Sequence, residues 1–455
     1  MEPFAYDPVL QGIAQLPQPA VYKNSTPVVT VHGENLNVWE VLTAVVLKGL
    51  NALVVSERGE GKTQLQNDFK NTYFGGKATY IRMRDNLRVK EIYEVYNLKK
   101  LFRGEGTTLE AKNLTGAVRN PLTLIDEINR GHEKVQNQVF DIYDGYIIFD
   151  GPQGPEKINL GAVLADDSYY HTALASANIG ASRYMGTNPI DPALLDRSHV
   201  ILNLDNFAPT ALDNALIIAK ANTAKIIDTE LQDHLENILE IHKGLAKVPM
   251  SLDALLVLLH LRKGLDYCKN PENATQSKLP VLQVLPSICQ GCSELGNGCG
   301  NTYPISIRTE KAVALLAGGL KAVADAKRGE IKNKTVGYQE ILSAFRIVAP
   351  YSGMLDKQWV RQEFMGNEQA AINKVAQQIS KEITDLSDPI NKSISEALLG
   401  NLSVRALDPF SGRWKWYKEV AGSFNDAAIK VGRLSDISAE EMRAAAQEHP
   451  ILHWL

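Results

Sequence analysis

Apolar positions in the first half of the chain fall into short runs that alternate with segments of helical spacing. Val38, Leu42, Val45 and Val46 recur on one helical face, and the run 52–55 that follows has the length and β-branched content of a buried strand. Four more runs have this character: Thr79–Arg82, Leu122–Ile125, Ala173–Ala177 and Val200–Leu204. Because helical segments separate them, the pattern predicts an α/β domain with a largely parallel sheet.

The second half of the chain has a helical pattern instead, from about residue 208 onward. The predicted helices are Leu212–Lys243, Leu252–Cys268, Thr309–Arg328 and Gln339–Val348. The first 28 residues are rich in Pro and Gln and predict an arm or a packed extended strap. We therefore expect four regions: an N-terminal arm (1–28), an α/β core (29–207), a helical lid (208–355) and a mostly helical C-terminal region (356–455).

A glycine-containing loop follows the first predicted strand of the core. Residues 56–63 read Ser-Glu-Arg-Gly-Glu-Gly-Lys-Thr, which agrees with the phosphate-binding pattern Gly-x4-Gly-Lys-Ser/Thr except that Ser56 replaces the first Gly. In such a loop backbone N–H groups surround phosphate oxygens, Lys62 reaches the β- and γ-phosphates, and Thr63 ligates Mg²⁺. The positions expected to contact ATP are Ser56, Gly59, Glu60, Gly61, Lys62 and Thr63. The alternative is a glycine-rich turn that binds nothing.

Polar side chains end two further predicted strands. Asp126 and Glu127 follow the run 122–125, and Asn178 follows the run 173–177. Beside a phosphate loop, Asp126 would hold magnesium, mostly through water, and Glu127 would polarise the attacking water. Asn178 would position that water or sense the γ-phosphate. Taken singly, a solvated acidic strand end and an Asn in a turn are the alternatives.

Several ordered segments resemble the MoxR-like AAA+ ATPases. Residues 126–130 read Asp-Glu-Ile-Asn-Arg, the DEINR signature of that family, and Ala-Ser-Ala-Asn at 175–178 resembles its sensor-one strand. The other similar segments are 135–145, 146–151, 191–197, 304–308 and 336–341. The family segment that resembles 191–197 usually ends Asp-Arg-Phe, whereas Ser198 follows here. The resemblance spans roughly residues 30–355 and implies an AAA+ P-loop core followed by an α-helical lid.

The resemblance also implies assembly and a type of client. Arg197 occupies the place of the arginine finger, which completes a neighbour's site, and Arg308 occupies the place of the sensor-two arginine. A hexameric ring that hydrolyses Mg-ATP and remodels a protein client is then expected, and clients of this family often carry a von Willebrand A domain. A surface arginine at a helix end is the alternative for Arg197.

The four cysteines of the chain lie within 32 residues of one another. Cys289 and Cys292 form a C-x2-C pair, Cys299 follows among glycines, and Cys268 lies upstream. Four thiolates in this arrangement suit Zn²⁺ or an iron–sulfur cluster, and unligated thiols or a redox pair are the remaining alternative. MoxR-like lids do not usually carry such an insert. It lies just before the sensor-two region, so we expect a metal here to stabilise the lid or a docking surface.

Charge and hydropathy narrow the functional classes. The chain has 48 Lys and Arg against 52 Asp and Glu, a net charge of −4, which argues weakly against nucleic acid as the main partner. No segment predicts a secretory leader or a membrane span, so we expect a cytoplasmic protein. Two alternatives to a protein-remodelling motor stay open: a nucleic-acid motor of the restriction or replication type, and a nucleotide-binding scaffold without turnover, suggested by Ser56.

Overall fold

The structure is a computed structural model that divides into two compact units. It describes residues 6–57, 60–97, 99–100, 112–151, 153–178, 188–220, 225–246, 248–262, 302–303, 305–331 and 334–398. The first unit comprises residues 1–246 with 322–330, and the second comprises 247–321 with 331–455. The domain boundaries expected at residues 28, 207 and 355 remain predictions.

Strands occur in the first unit among the described residues. They are β1 (Val29–Val31), β2 (Glu34–Leu36), β3 (Ala52–Ser56), β4 (Ala78–Arg82), β5 (Glu94–Tyr96), β6 (Lys112–Leu114), β7 (Leu122–Asp126), β8 (Tyr146–Gly151), β9 (Gly154–Asn159), β10 (Ala162–Val163), β11 (Tyr169–Tyr170), β12 (Thr172–Asn178) and β13 (Val200–Asn203). Each of the five strand runs predicted from the sequence forms a strand, with bounds that differ by one residue at most at either end.

The central sheet has the strand order β13–β3–β12–β7–β4, and its neighbouring strands are parallel. Strands β3 and β7 are buried along their whole length, which explains their continuous apolar runs. The predicted α/β class with a largely parallel sheet is confirmed. The remaining strands form antiparallel pairs: β1 with β2, β5 with β6, β8 with β9, and β10 with β11.

Helices accompany the sheet in the first unit and form the described part of the second. They are α1 (Tyr6–Ala14), α2 (Val38–Leu47), α3 (Lys62–Phe74), α4 (Lys90–Tyr93), α5 (Glu133–Gln136), α6 (Phe140–Tyr143), α7 (Pro192–Arg197), α8 (Ala211–Lys220), α9 (Leu235–Leu245), α10 (Leu252–Arg262), α11 (Ile307–Arg328), α12 (Tyr338–Val348), α13 (Lys357–Phe364) and α14 (Glu368–Leu398). Short 3-10 turns lie at Gly116–Arg119, Ile128–Arg130, Asn137–Val139 and Leu204–Phe207.

One predicted helix is wrong. The segment Leu212–Lys243 forms two helices, α8 and α9, with non-helical backbone at residues 225–234. Side chains of α3 bind this backbone: Gln64 accepts from Ile227 N–H at 2.9 Å and donates to its carbonyl at 2.9 Å. The segment therefore satisfies its polar groups against α3 instead of within a helix.

The N-terminal arm is only partly extended. Its described part begins with α1, whose buried residues Val9 and Ile13 belong to an apolar face next to α9. Pro17 and Pro19 follow the helix and prevent its continuation. The strap after the prolines is bound to α3, because Asp68 Oδ2 accepts from the N–H groups of Val21 at 2.9 Å and Tyr22 at 2.7 Å.

The described part of the second unit packs helix against helix. Helix α12 contacts both α10 and α14. Ile341 and Phe345 of α12 are buried, as are Ile372 and Ile379 of α14. The two residues of α12 are four positions apart and those of α14 are seven apart, which is the spacing of one helical face. The predicted helical character of this region is confirmed for the described residues.

Candidate functional site

The phosphate loop connects the carboxyl end of β3 to the first turn of α3. Gly61 precedes the helix with φ 72°, a left-handed conformation that favours glycine, and Lys62 begins the helix. The Lys62 ammonium donates to Ser56 Oγ at 2.6 Å, to the Ser56 carbonyl at 3.1 Å and to the Glu57 carbonyl at 2.9 Å. The predicted contact residue Gly59 lies outside the described residues, as does Arg58. The Lys62 ammonium at the end of the loop therefore lies against Ser56 and Glu57 at its start.

The surroundings of Lys62 act on the pKa of its ammonium in opposite directions. Burial lowers the pKa of its ammonium, while the carboxylates of Asp205, Glu60, Asp126 and Glu127 act in the opposite direction. A partly desolvated ammonium at a helix N-terminus gains further stabilisation when phosphate oxygens replace its lost water. Asp205 also accepts from the Glu57 N–H at 3.1 Å and so holds the start of the loop.

Helix α3 lies across the strands that end in Asp126 and Asn178. Gln66 is buried, and its side-chain amide donates to the Leu174 carbonyl of β12 at 2.9 Å and to the Ile125 carbonyl of β7 at 3.4 Å. Thr63 lies in the first turn of the same helix and is half-buried. The first turn of α3 is thereby held above the end of the sheet.

The carboxyl ends of three strands meet at one edge of the sheet. Asn178 of β12 lies in register with Ser56 of β3, and Ala175 of β12 lies in register with Ile125 of β7. Because β12 separates β3 from β7, the start of the phosphate loop and Asp126 lie two strand spacings apart, about 10 Å. The sheet thus brings together the residues that the sequence predicted for one site.

Asp126 is a buried carboxylate held by two hydroxyl groups. Its side chain is 7% exposed. Ser176 Oγ donates to Oδ1 at 2.7 Å, and the Tyr80 hydroxyl donates to Oδ2 at 2.9 Å. Each carboxylate oxygen keeps a lone pair for another partner, so Asp126 fits the predicted role of a magnesium ligand, directly or through water.

Glu127 has a different electrostatic environment. Its backbone adopts φ 53°, so the chain turns sharply directly after β7. Its Oε2 lies 2.8 Å from Arg130 Nε and 3.7 Å from a terminal guanidinium nitrogen of Arg82, and the side chain is 18% exposed. The predicted general base is therefore paired with two arginines on its own chain.

The end of β12 is fixed by a side chain of the DEINR segment. Asn129 Nδ2 donates to the Asn178 carbonyl at 2.7 Å, and the Asn178 N–H donates to Asn129 Oδ1 at 3.4 Å. These two bonds set the backbone from which the Asn178 side chain projects. Its role as a sensor of the γ-phosphate remains a prediction.

Arg197 lies near the opposite end of the sheet from the phosphate loop. Its Nε donates to Asp144 Oδ2 at 3.1 Å, and its guanidinium lies 4.5 Å from the Phe140 ring centre. Asn51, at the amino end of β3, donates from its side chain to the Tyr143 carbonyl at 2.7 Å, and its N–H donates to His199 Nδ1 at 2.9 Å. Tyr143, next to Asp144, and His199, two residues after Arg197, are therefore both bound to Asn51 at the amino end of β3.

Two further predictions concern residues outside this group. Arg308 lies in the first turn of α11, in the second unit, and its sensor-two role remains a prediction. The four cysteines, Cys268, Cys289, Cys292 and Cys299, lie outside the described residues.

Two negative findings apply to the described residues only. Within the ranges given above, no three His, Cys, Asp or Glu side chains are grouped so that they could hold a metal ion. In the same part of the chain, no helix has both the length and the apolar character that crossing a membrane requires.

Sequence reasoning missed the residues that hold the predicted ones in place. Tyr80, Ser176 and Asn129 bind Asp126 or the end of β12, as described above. Ser176 and Asn129 lie inside the motifs that carry the family resemblance, so their positions could have suggested a role. Tyr80 lies in a strand without a motif, and only the pairing of β4 with β7 reveals it.

Comparison with known proteins gives one family match and several structural ones. Residues 51–198 match the family model of the AAA domain, dynein-related subfamily. A protein of Cytophaga hutchinsonii, provisionally described as an ATPase, is similar with a TM-score of 0.51 and 14% identity, over 81% of this chain and 93% of that chain. A full-length MCM homolog from Methanopyrus kandleri is similar with a TM-score of 0.40 and 10% identity, over 70% of this chain and 55% of that chain. The comparison with curated proteins gives no match.

Proposed function

We propose that this chain, in which residues 51–198 match the AAA domain model, is an ATPase that works as a ring-forming motor of MoxR-like type. In this proposal it hydrolyses Mg-ATP and uses the cycle to remodel or activate a partner protein. The nucleotide would bind where the phosphate loop, Asp126 and Asn178 meet at the carboxyl edge of the sheet. The resemblance of residues 30–355 to MoxR-like proteins supports the type of motor.

The roles of the site residues follow from their positions. Lys62 and the backbone around Gly61 would bind the triphosphate at the start of α3. Thr63 and Asp126 would hold magnesium, which when bound neutralises developing charge on the phosphates. Glu127 would orient and polarise the attacking water, and Asn178 would sense the γ-phosphate. Arg308 would act as the sensor-two arginine, a role that rests on the resemblance alone.

The position of Arg197 carries the proposal that the motor is a ring. Asn51 and Ser56 are the residues just before β3 and at its end, five residues apart, which in an extended strand is roughly 16 Å. Residues next to Arg197 and its partner Asp144 bind Asn51, whereas the phosphate loop begins at Ser56. A guanidinium at the far end of the strand does not reach the nucleotide of its own chain, so it would complete a neighbour's site. A hexamer is the assembly that the resemblance implies.

The preferred client is a protein. The net charge of −4 does not favour a motor that tracks along nucleic acid. The resemblance suggests a client with a von Willebrand A domain. The Glu127→Gln form should retain such a client only with ATP, and Lys62→Ala is the matched control that should retain none. DNA-stimulated, salt-sensitive turnover would instead favour the nucleic-acid motor.

A mixing experiment tests hydrolysis and the ring together. Arg197→Ala subunits keep Glu127 but lack the finger, and Glu127→Gln subunits keep the finger but lack the base. We expect each variant alone to lose turnover by at least about 100-fold, because a finger contributes about 10³ or more to the rate. Mixed in equal amounts, the two should recover a substantial fraction of turnover.

The control for this experiment is Arg361→Ala, which removes an exposed arginine of α13 in the second unit. It should leave turnover unchanged, alone or mixed. Full turnover by Arg197→Ala alone would contradict the shared site. A wild-type chain that binds nucleotide but shows no turnover would instead favour the scaffold.

We propose that Cys268, Cys289, Cys292 and Cys299 hold Zn²⁺ in the second unit. The support is their clustering and the C-x2-C spacing of Cys289 and Cys292. Elemental analysis of the purified chain should find about one zinc per chain, and Cys289→Ser should lower it. Iron and sulfide with visible absorption would indicate the iron–sulfur alternative, and no bound metal would indicate free thiols or a redox pair.

A further inference from the structure

Two side chains of β4, Tyr80 and Arg82, lie on the same face of the strand and near the end of β7 that carries Asp126. Tyr80 and Arg82 alternate with the buried residues Thr79 and Ile81 and therefore share one face of the strand. Arg82 lies in register with Asp126, whereas Tyr80 lies in register with Leu124. The Tyr80 side chain thus reaches diagonally along the sheet to Asp126, a separation that an aromatic side chain can span.

The hydrogen bonds around Asp126 have a defined direction. The Glu127 N–H donates to Ser176 Oγ at 3.0 Å, so this oxygen acts as an acceptor there and its own proton is free to go to Asp126 Oδ1. The Tyr80 hydroxyl donates to Oδ2 because the carboxylate offers only lone pairs. Rotation of the carboxylate would break both bonds, and the two donors therefore fix its orientation.

The two adjacent carboxylates differ in the charge of their partners. Glu127 is paired with the guanidinium groups of Arg82 and Arg130. Asp126 is held by two neutral hydroxyls and so keeps its negative charge uncompensated by these contacts. A cation binds more strongly to a carboxylate whose orientation is fixed and whose charge is not already paired with another cation. This contrast favours Asp126 as the residue that holds the metal.

We propose that Tyr80 is a positioning residue for magnesium, acting through Asp126. The inference rests on the proposed nucleotide site and deepens it. Tyr80 is 50% exposed on an edge strand, so the tyrosine is not needed to fill the core. Its described polar contact is the bond to Asp126, and removing the hydroxyl frees one carboxylate oxygen to turn.

Binding of a fluorescent, non-hydrolysable ATP analogue tests the inference without turnover. The measured quantity is the gain in affinity between EDTA and saturating Mg²⁺, determined on the full chain. In Tyr80→Phe we expect this gain to fall roughly tenfold, the usual effect of losing an outer partner of a metal ligand. Affinity in EDTA should be unchanged, since Tyr80 does not act on the nucleotide itself.

Matched variants separate the metal effect from a structural one. Tyr169→Phe, which alters a partly exposed tyrosine of β11, should keep the full gain. In an Asp126→Asn chain, adding Tyr80→Phe should cause no further loss, because the residue through which it acts is already altered. Thermal unfolding of Tyr80→Phe should stay close to that of the parent.

The outcomes distinguish this inference from the proposed function. If Tyr80→Phe keeps the full magnesium gain, or loses affinity equally in EDTA and in Mg²⁺, the positioning role is wrong while the nucleotide site stands. An additive loss in the Asp126→Asn background would also overturn it. If the parent chain binds no analogue under either condition, the proposed function fails and the inference fails with it.

Discussion

Arg197 donates from Nε to Asp144 Oδ2 at 3.1 Å, and the residues around this pair are tied to the end of β3 opposite the phosphate loop. The pair is partly exposed, with 22% of the Arg197 side chain accessible. The guanidinium also lies over Phe140, so a carboxylate and an aromatic ring hold it in one orientation. Arg197 is thus held by its own chain at a distance from the carboxyl end of β3, where the phosphate loop begins.

The first prediction is that Arg197→Ala changes stability little. A partly exposed ion pair and a cation–π contact are together worth about 1 kcal/mol, because water screens the charges. Urea unfolding of the first unit should therefore shift by about that amount or less. Asp144→Asn should shift it by a similar amount. A much larger loss in Arg197→Ala would mean that this arginine is structural and that its turnover defect says little about a ring.

The second prediction separates binding from stability at Lys62. Burial lowers the pKa of its ammonium, so the folded chain disfavours the charged form that the nucleotide prefers. Lys62→Met should lower nucleotide affinity by at least about tenfold, since one charge-assisted contact to phosphate is lost. Its thermal unfolding temperature should stay equal or rise.

Lys70→Met, near the other end of the same helix, is the control for that comparison. It should leave nucleotide affinity unchanged. Equal affinities in Lys62→Met and in the parent would argue against a phosphate site at this loop.

The third prediction concerns pH and His171. Burial lowers the pKa of His171 from 6.5 to about 4, and its Nε2 lies 2.9 Å from Thr123 Oγ1. Between these pH values the unfolded chain binds a proton that the folded chain does not. The free energy of unfolding should therefore fall as the pH drops from 6.5 to 4, by up to about 3 kcal/mol from this residue.

Urea unfolding at several pH values checks the contribution of His171. In His171→Asn this part of the pH dependence should be absent, although the variant is less stable at every pH. His234→Asn, at the start of α9, is the control and should keep the parent's slope. An unchanged slope in His171→Asn would assign the pH dependence to other groups.

The fourth prediction concerns the strap at the N-terminus. Asp68 is fully buried and accepts from the N–H groups of Val21 and Tyr22, and from Gln64 Nε2 at 2.8 Å. Asp68→Asn leaves fewer acceptors for these donors and should cost about 2 kcal/mol. Limited proteolysis should then cut the strap faster.

Asp233→Asn is the matched change outside this network. Asp233 forms an exposed ion pair with Lys77, so its loss should cost well under about 1 kcal/mol. Equal effects of the two substitutions on unfolding and on proteolysis would show that the strap is not held through Asp68.

Much of the core was predictable because its signals are local. Residues 52–55 and 122–125 are mostly apolar runs, and a strand buried on both faces requires such a run. Gly61 and Lys62 follow the first run at the spacing that a phosphate loop needs, and Asp126 closes the second. These features depend on neighbours a few positions away, which a single sequence displays.

Contacts between distant segments were not predictable in this way. The sequence pattern predicts a helix over 212–243, yet residues 225–234 are non-helical, and Gln64 of α3 binds the backbone of Ile227 among them. The bond from Tyr80 to Asp126 depends on β4 pairing with β7, and no periodicity within either strand encodes that pairing.

The sequence by itself determined the five strands of the central sheet, the glycine-containing loop after β3 and the acidic end of β7, because period and spacing are properties of the chain. Only the tertiary structure decided that β12 lies between β3 and β7, that two hydroxyls orient Asp126, and that Arg197 lies at the opposite end of the sheet. Strand order and such contacts arise from hydrogen bonds and packing between residues far apart in sequence, which compete for partners across the whole domain.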